Sequence, residues 1–253
     1  MSVTVGEIYA KINEIAPFET QAEWDNAGLL AGSANAPVDT ALVALELNPD
    51  VLQEANAKHA QLIVTHHPIL FRGRKNLRED DPEGRMLCAL VRSGVALIAA
   101  HTNFDGANPG VNDALAAALG LTEVEILDEG VRVGTPSQRT LGAFRAHAET
   151  ALGGVIRMYG NADAPIGRIG ILGGAGGDYL EIARNAGADV FLTGEISHHK
   201  AWDAYLSGVS VLEAGHAATE LPAVHFLAKG LQKAADDVQW NLRIYESETE
   251  LFK

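Results

Sequence analysis

Cysteine is almost absent from this chain. The single one, Cys88, lies in an apolar helical pattern, so neither a disulfide framework nor a thiolate metal cluster can be built. Positive charge is also scarce: 19 lysines and arginines face 33 aspartates and glutamates, a formal charge of −14. That balance argues against a nucleic-acid backbone or an anionic membrane surface as the main partner. No apolar run approaches the roughly 18 residues that span a bilayer. The first 17 residues carry acidic groups with helical periodicity in place of a charged-then-apolar signal. These absences lead to the expectation of a cytoplasmic protein without membrane insertion. What is present is 253 residues with 47% apolar content, enough for one large or two small domains with a substantial core.

The most informative stretch is Leu62-Ile63-Val64-Thr65-His66-His67-Pro68. A buried strand runs straight into two adjacent histidines, and the proline prevents it from continuing as a central strand. The histidines therefore stand at a strand's C-terminal end, where α/β sheets bind ligands, and neutral imidazole is the commonest protein metal ligand. Taken alone, the pair also fits one histidine bonded in the core and one facing solvent.

Around this stretch the chain alternates. Thr4 and Glu7 form a capping box ahead of Ile8, Ile12 and Ile15, an opening helix that Pro17 ends. Residues 23–32 form a polar, glycine-punctuated loop around Trp24, of the kind that lines sites or makes a turn. Residues 41–47 and 61–65 read as strands with a helix over 49–58 between them, and 95–100 as a further strand ending in His101. In the second half a helix is expected over 140–152, strands over 155–159, 168–172, 189–193 and 209–213, a helix over 222–233 and a last strand near 238–245. Two segments invite a phosphate reading. Arg72, Arg74, Lys75 and Arg78 crowd one loop, and residues 173–177 form a glycine-rich strand-to-helix turn that matches neither the dinucleotide fingerprint nor the P-loop. A solvated loop and a tight turn are the plain alternatives.

The two halves repeat one another. A constant offset places Asp50, Leu52, Ala60 and Thr65 on Asp178, Leu180, Ala188 and Thr193, and Ser93-Gly94-Val95 matches Ser207-Gly208-Val209. In each half the next strand runs into a histidine with a carboxylate four residues later: His101 with Asp105, and His216 with Glu220. The expected fold is α/β, with two similar lobes, 1–125 and 126–253, related by an internal pseudo-two-fold and offering ligands at strand C-terminal ends. His66, His67, Asp105, His216 and Glu220 then form a mixed nitrogen and oxygen set suited to iron, zinc, manganese or cobalt, and too rich in imidazole for calcium. Five protein ligands exceed what one catalytic zinc takes, so two divalent ions are expected.

These segments resemble the family of GTP cyclohydrolase 1 type 2 homologues, Nif3-like proteins with a dinuclear metal centre. The resemblance covers nearly the whole chain. It is carried by Glu23-Trp24-Asp25-Asn26-Ala27-Gly28-Leu29, Thr65-His66-His67-Pro68, His101-Thr102-Asn103-Phe104-Asp105 with Gly110-Val111-Asn112-Asp113, the glycines of 173–177, Thr193-Gly194-Glu195, and Gly215-His216 with Thr219-Glu220. It implies that His66, His67, Asp105, His216 and Glu220 hold two metals, and that six copies close a ring. It also implies the short form, without the domain that longer members insert between the lobes. One departure is Glu46-Leu47-Asn48, where an aspartate followed by a hydroxyl residue is expected.

Two functions follow as expectations. The first is a hydrolase whose metal-activated water attacks a small molecule, with a nucleotide such as GTP as the substrate class that the family label implies. Here His101 serves as an outer residue or proton shuttle, Glu195 and His199 as pocket residues, and the basic loop as a phosphate receptor. The second is a non-catalytic, metal-binding regulatory ring. Fold and metals do not decide a substrate.

Overall fold

The structure is a computed structural model that describes residues 2–249. It forms two compact units, one built from residues 2–108 and 224–249, the other from Pro109–Ala223.

In the first unit, Val3–Thr4 (β1) leads into Val5–Ile15 (α1), capped as the sequence indicates. The Thr4 hydroxyl accepts the Glu7 N–H, and the Glu7 carboxylate accepts the Thr4 N–H at 2.8 Å. Gly28–Ala31 (β2), Pro37–Val38 (β3) and Thr40–Ala44 (β4) follow, then Pro49–Ala57 (α2), Leu62–Thr65 (β5), Pro82–Ser93 (α3), Ala96–Ala99 (β6) and the one-turn Thr102–Asp105 (α4). β1 pairs only with β3. β4, β5 and β6 are parallel neighbours, and β2 closes one edge antiparallel to β6. Crossover helices cover such strands, so β4 to β6 are buried nearly throughout and read as continuous apolar runs. Leu42, Ile63 and Leu97 pack with Val51, Leu52 and Ala55 of α2 and Leu90 of α3.

The second unit opens with Val111–Ala118 (α5), then Thr122–Ile126 (β7), Arg132–Thr135 (β8), Leu141–Leu152 (α6), Arg157–Tyr159 (β9), Ile169–Leu172 (β10), Leu180–Asn185 (α7), Val190–Thr193 (β11), His198–Leu206 (α8) and Ser210–Glu213 (β12). The sheet order is β7-β8-β10-β11-β12-β9, with a parallel core of β10, β11 and β12 and antiparallel strands outside it. β11 is buried on both faces: Val190 and Leu192 pack with Leu115, Phe144 and Leu212, and Phe191 with Val133, Ala183 and Val211.

His216–Asp237 (α9) contains the division between the units, and Arg243–Glu246 (β13) returns to pair in parallel with β4, completing the five-stranded order β13-β4-β5-β6-β2. The fold is thus α/β with two mixed sheets, and each unit contains the same three-strand parallel core that the repeat indicates. Thr65 and Thr193 end the middle strand of each.

Three local readings change. The helix expected from Pro222 begins six residues earlier, at His216, because Pro222 sits inside α9 and not at its first turn. The strand expected to end in His101 is followed by a separate turn of helix that carries Asp105. β7 and β8, which the sequence reading passes over, form an antiparallel pair whose outer strand is exposed along its whole length. Among the described residues no helix is long and apolar enough to cross a membrane.

Candidate metal centre

In the first unit the register sets the site. Ala44, Thr65 and Ala99 lie opposite one another at the C-terminal ends of β4, β5 and β6, so the chain leaves all three strands along one edge of the sheet. Both histidine N–H groups, of His66 and His67, donate to the Leu45 carbonyl, at 3.1 and 2.9 Å, and the buried Thr65 hydroxyl donates to the His67 carbonyl at 2.9 Å. These bonds hold the backbone where Pro68 prevents further ladder pairing.

The His66 ring is buried, and its Nδ1 lies 2.8 Å from the Ala100 carbonyl oxygen. A carbonyl only accepts, so Nδ1 carries a proton, and Nε2 is the ring nitrogen that remains for other contacts. That Nε2 is 3.6 Å from Oδ1 of Asp105, the last residue of α4. His67 Nδ1 is 3.6 Å from Glu46 Oε2, beyond hydrogen-bond distance.

His101 completes an imidazole cluster. Its ring centroid is 5.2 Å from that of His66 and 5.8 Å from that of His67, and the three residues present ring nitrogens all within 4.8 Å of one another. Asn103, fully buried, fixes the backbone there, accepting from the His101 N–H at 2.9 Å and donating to the Ala16 carbonyl at 2.8 Å. Behind His101 stands Asp25, whose side chain is 0% exposed. One carboxylate oxygen accepts from His101 Nδ1 at 2.8 Å, and the other accepts from the Thr102 N–H at 3.0 Å and from the Thr102 hydroxyl. Burial alone pushes the Asp25 carboxyl up. The hydrogen bonds from His101 and Thr102 overcome it and hold the group well below the usual carboxylate range.

The second unit builds a similar edge from β11 and β12. Ala214 and Gly215 donate their N–H groups to the Thr193 and Gly194 carbonyls at 2.8 and 3.0 Å, and Gly215, at φ +90°, makes the turn into α9. His216 and Glu220 are then four apart on one helix face, His216 Nε2 3.2 Å from Glu220 Oε1. His216 Nδ1 is 3.1 Å from Glu195 Oε1.

The glycine-rich turn presses on this pair. A Cβ on Gly174 would stand 2.4 Å from Glu220 Oε1 and 3.3 Å from His216 Nε2, and one on Gly176 would stand 2.6 Å from Thr193 Oγ1. Its N–H groups are already engaged: Gly173 with Asn112 Oδ1 at 2.9 Å, Gly174 with Thr219 Oγ1 at 3.0 Å, Gly176 with Thr193 Oγ1 at 3.0 Å. The glycines therefore serve close approach, and these amides do not cradle a phosphate.

The sequence-derived residues thus fall into two sets: His66, His67, Asp105 and His101 in the first unit, and His216, Glu220 and Glu195 in the second. His199 is exposed on α8 and bonds Ser197, and Arg74 of the basic loop pairs with Asp81 and Glu83. The sequence reading missed Asp25 as an individual, although the loop around Trp24 had been a candidate site lining. It also missed Arg132, a fully buried guanidinium held by Asp113.

Both sets fit a divalent transition metal by their chemistry: imidazole nitrogens stand beside carboxylate oxygens, and the Gly174 backbone leaves room where a side chain would collide with Glu220. Fold and donors together define an α/β protein with histidine–carboxylate groups able to hold metal. Residues 3–251 match the family model described as Duf34/NIF3 (NGG1p interacting factor 3), and the chain belongs to that family. It is 33% identical to a GTP cyclohydrolase 1 type 2 homolog of Streptomyces coelicolor, covering 97% of this chain and 91% of that protein. The Bacillus subtilis homolog of the same name is 26% identical over an alignment of 364 positions, so it carries inserted residues that this shorter chain lacks. A solved Staphylococcus aureus hypothetical protein superposes with a TM-score of 0.94 at 27% identity, covering 100% of this chain and 99% of that one.

Proposed function

We propose that this protein is a dinuclear-metal hydrolase in which His66, His67, Asp105, His216 and Glu220 hold two divalent ions. The observation that carries the reading is the gathering of imidazole and carboxylate groups at the strand ends. His66 donates its Nδ1–H to the Ala100 carbonyl, His216 sets its Nδ1 against Glu195, and each Nε2 lies beside a carboxylate oxygen, at 3.6 and 3.2 Å. Imidazole nitrogen beside carboxylate oxygen is a donor set that divalent transition metals take.

Two such ions would supply Lewis acidity and bring the pKa of a water to about 7, the chemistry of a metal-dependent hydrolase. The chain's own residues hold the donors in place: Ala100 and Glu195 set imidazole tautomers, and the Gly173 and Gly174 backbone keeps Glu220 pressed against His216. The relatives are named as GTP cyclohydrolase 1 type 2 homologs, which favours a small nucleotide-like substrate, with Arg72 and Lys75 as candidates for its phosphates. A homohexameric ring is the assembly proposed. A second reading, a non-catalytic metal-binding ring that works as an interaction surface, draws on α8, where Trp202, Tyr205 and Leu206 are 54%, 54% and 66% exposed.

The test is metal content per subunit on protein purified without added metal, beside a His66→Ala, His216→Ala variant. The expected result is close to two ions in the parent, a clear loss in the variant, and chelator-sensitive hydrolysis in a screen that includes GTP. A folded parent that holds no metal, and takes up none of iron, zinc or manganese, overturns the reading.

A further inference from the structure

We infer that His101 is a third imidazole ligand of the first unit's metal, beside His66, His67 and Asp105, and that Asp25 is the positioning residue that sets its ring. The inference rests on the metal reading above and deepens it.

Three observations carry it. The first is the proton on the ring. Both Asp25 oxygens are engaged, one by His101 and the other by two Thr102 donors, so the carboxylate cannot rotate without breaking a bond. The Thr102 N–H and hydroxyl donate to the carboxylate, which faces His101 as an acceptor, so the His101 proton lies on Nδ1 and Nε2 is the nitrogen that can meet a metal. The second is position: the ring nitrogens of His66, His67 and His101 gather within 4.8 Å. The third is the internal repeat. His101 and Asp105 occupy the places that His216 and Glu220 occupy in the second unit, and in both units a carboxylate from elsewhere in the chain sits at the histidine's Nδ1, Asp25 at 2.8 Å and Glu195 at 3.1 Å. A carboxylate that accepts the second ring N–H of a metal-bound histidine is the recurring outer partner of such ligands. The first unit then supplies three imidazoles and one carboxylate from its own residues. The His101 ring is 16% exposed, with the Trp24 and Phe71 rings set edge-on to it, each 6.2 Å between centroids.

A proton shuttle at the same place would leave metal binding intact, and that difference is the test. Full-length protein is stripped with chelator and titrated with Co(II), following stoichiometry, affinity and the visible spectrum, in the parent and in His101→Ala, Asp25→Asn and His66→Ala. Asparagine at position 25 keeps an oxygen for Thr102 and turns its amide toward His101, which moves the ring proton to Nε2. Nitrogen-15 NMR of the metal-free protein reports that shift. The expected result is a loss of about 10- to 100-fold in affinity at one ion for Asp25→Asn. His101→Ala should lose at least as much and change the cobalt spectrum. Parent-like titration of His101→Ala while His66→Ala loses metal overturns this inference and leaves the metal reading standing. A parent that binds no cobalt overturns both. Should Asp25→Asn fail to fold, judged by circular dichroism, His101→Ala still decides the ligand.

Discussion

Replacing Asp113 by alanine should be among the most destabilising single changes in the second unit. Arg132 is 0% exposed, and Asp113 meets it with both oxygens, Nε to Oδ1 at 2.9 Å and Nη2 to Oδ2 at 2.8 Å, while also accepting the Gly110 N–H at 2.8 Å at the start of α5. A further Arg132 bond, from Nη1 to the Gly130 carbonyl at 2.9 Å, does not neutralise the charge. Removing one partner of a buried pair costs about 3–5 kcal/mol, mostly because the remaining ion stays buried without its counter-charge. For a chain of this size each kcal/mol lowers Tm by roughly 2–4 °C, so a fall of about 10 °C is expected in calorimetry. Pairing the change with Arg132→Met should recover most of it, since a packed apolar group removes the buried charge. The pH dependence has a definite sign. Burial pushes the Asp113 carboxyl up, but the Arg132 bonds and the Gly110 N–H hold it below its ordinary value. Its contribution is therefore complete above the unfolded pKa of about 4 and is lost as pH falls through the lower folded value. The stability gap between parent and Asp113→Asn should stay constant from about pH 5 to 8 and shrink below about pH 4. An Asp113→Ala variant within about 1 kcal/mol of the parent would refute the reasoning, because the pair would then be worth no more than an exposed one.

Gly174→Ala joins two penalties, a side chain at φ +60° and a Cβ 2.4 Å from Glu220 Oε1. A destabilisation of about 1–3 kcal/mol is expected, together with weakened metal uptake seen by titration. Unchanged uptake would show that Glu220 can move away without loss. Thr219→Val leaves the Gly174 N–H without its hydroxyl acceptor in a buried position, where about 1–3 kcal/mol should be lost in urea unfolding at unchanged m-value.

Much of the site was legible because its residues are local in sequence to strand ends. Buried apolar runs mark β5 and β11, polar residues mark where each stops, and the offset between Thr65 and Thr193 marks the two as equivalents. That is enough to select His66, His67, Asp105, His216 and Glu220, because side chains at strand ends inherit their place from the register of the sheet. The start of α9 was not legible. Pro222 reads as a first-turn residue, and only the packed helix places its onset at His216, setting that ring against Glu220.

What tertiary structure alone decided are relations between distant segments. Asp25 and His101 stand 76 residues apart, and no periodicity links them. Asp113 and Arg132 are separated by a turn and the exposed β7 strand, whose residues carry no burial pattern. β13 joins β4 from the far end of the chain, which makes the first unit discontinuous. The sequence by itself determined the α/β class, the duplicated strand core and the candidate donor residues, since these depend on short-range patterns of burial and on the chemistry of individual side chains. The partner of each buried charge came only with the fold, because it depends on which groups are brought within 3 Å after both have left water.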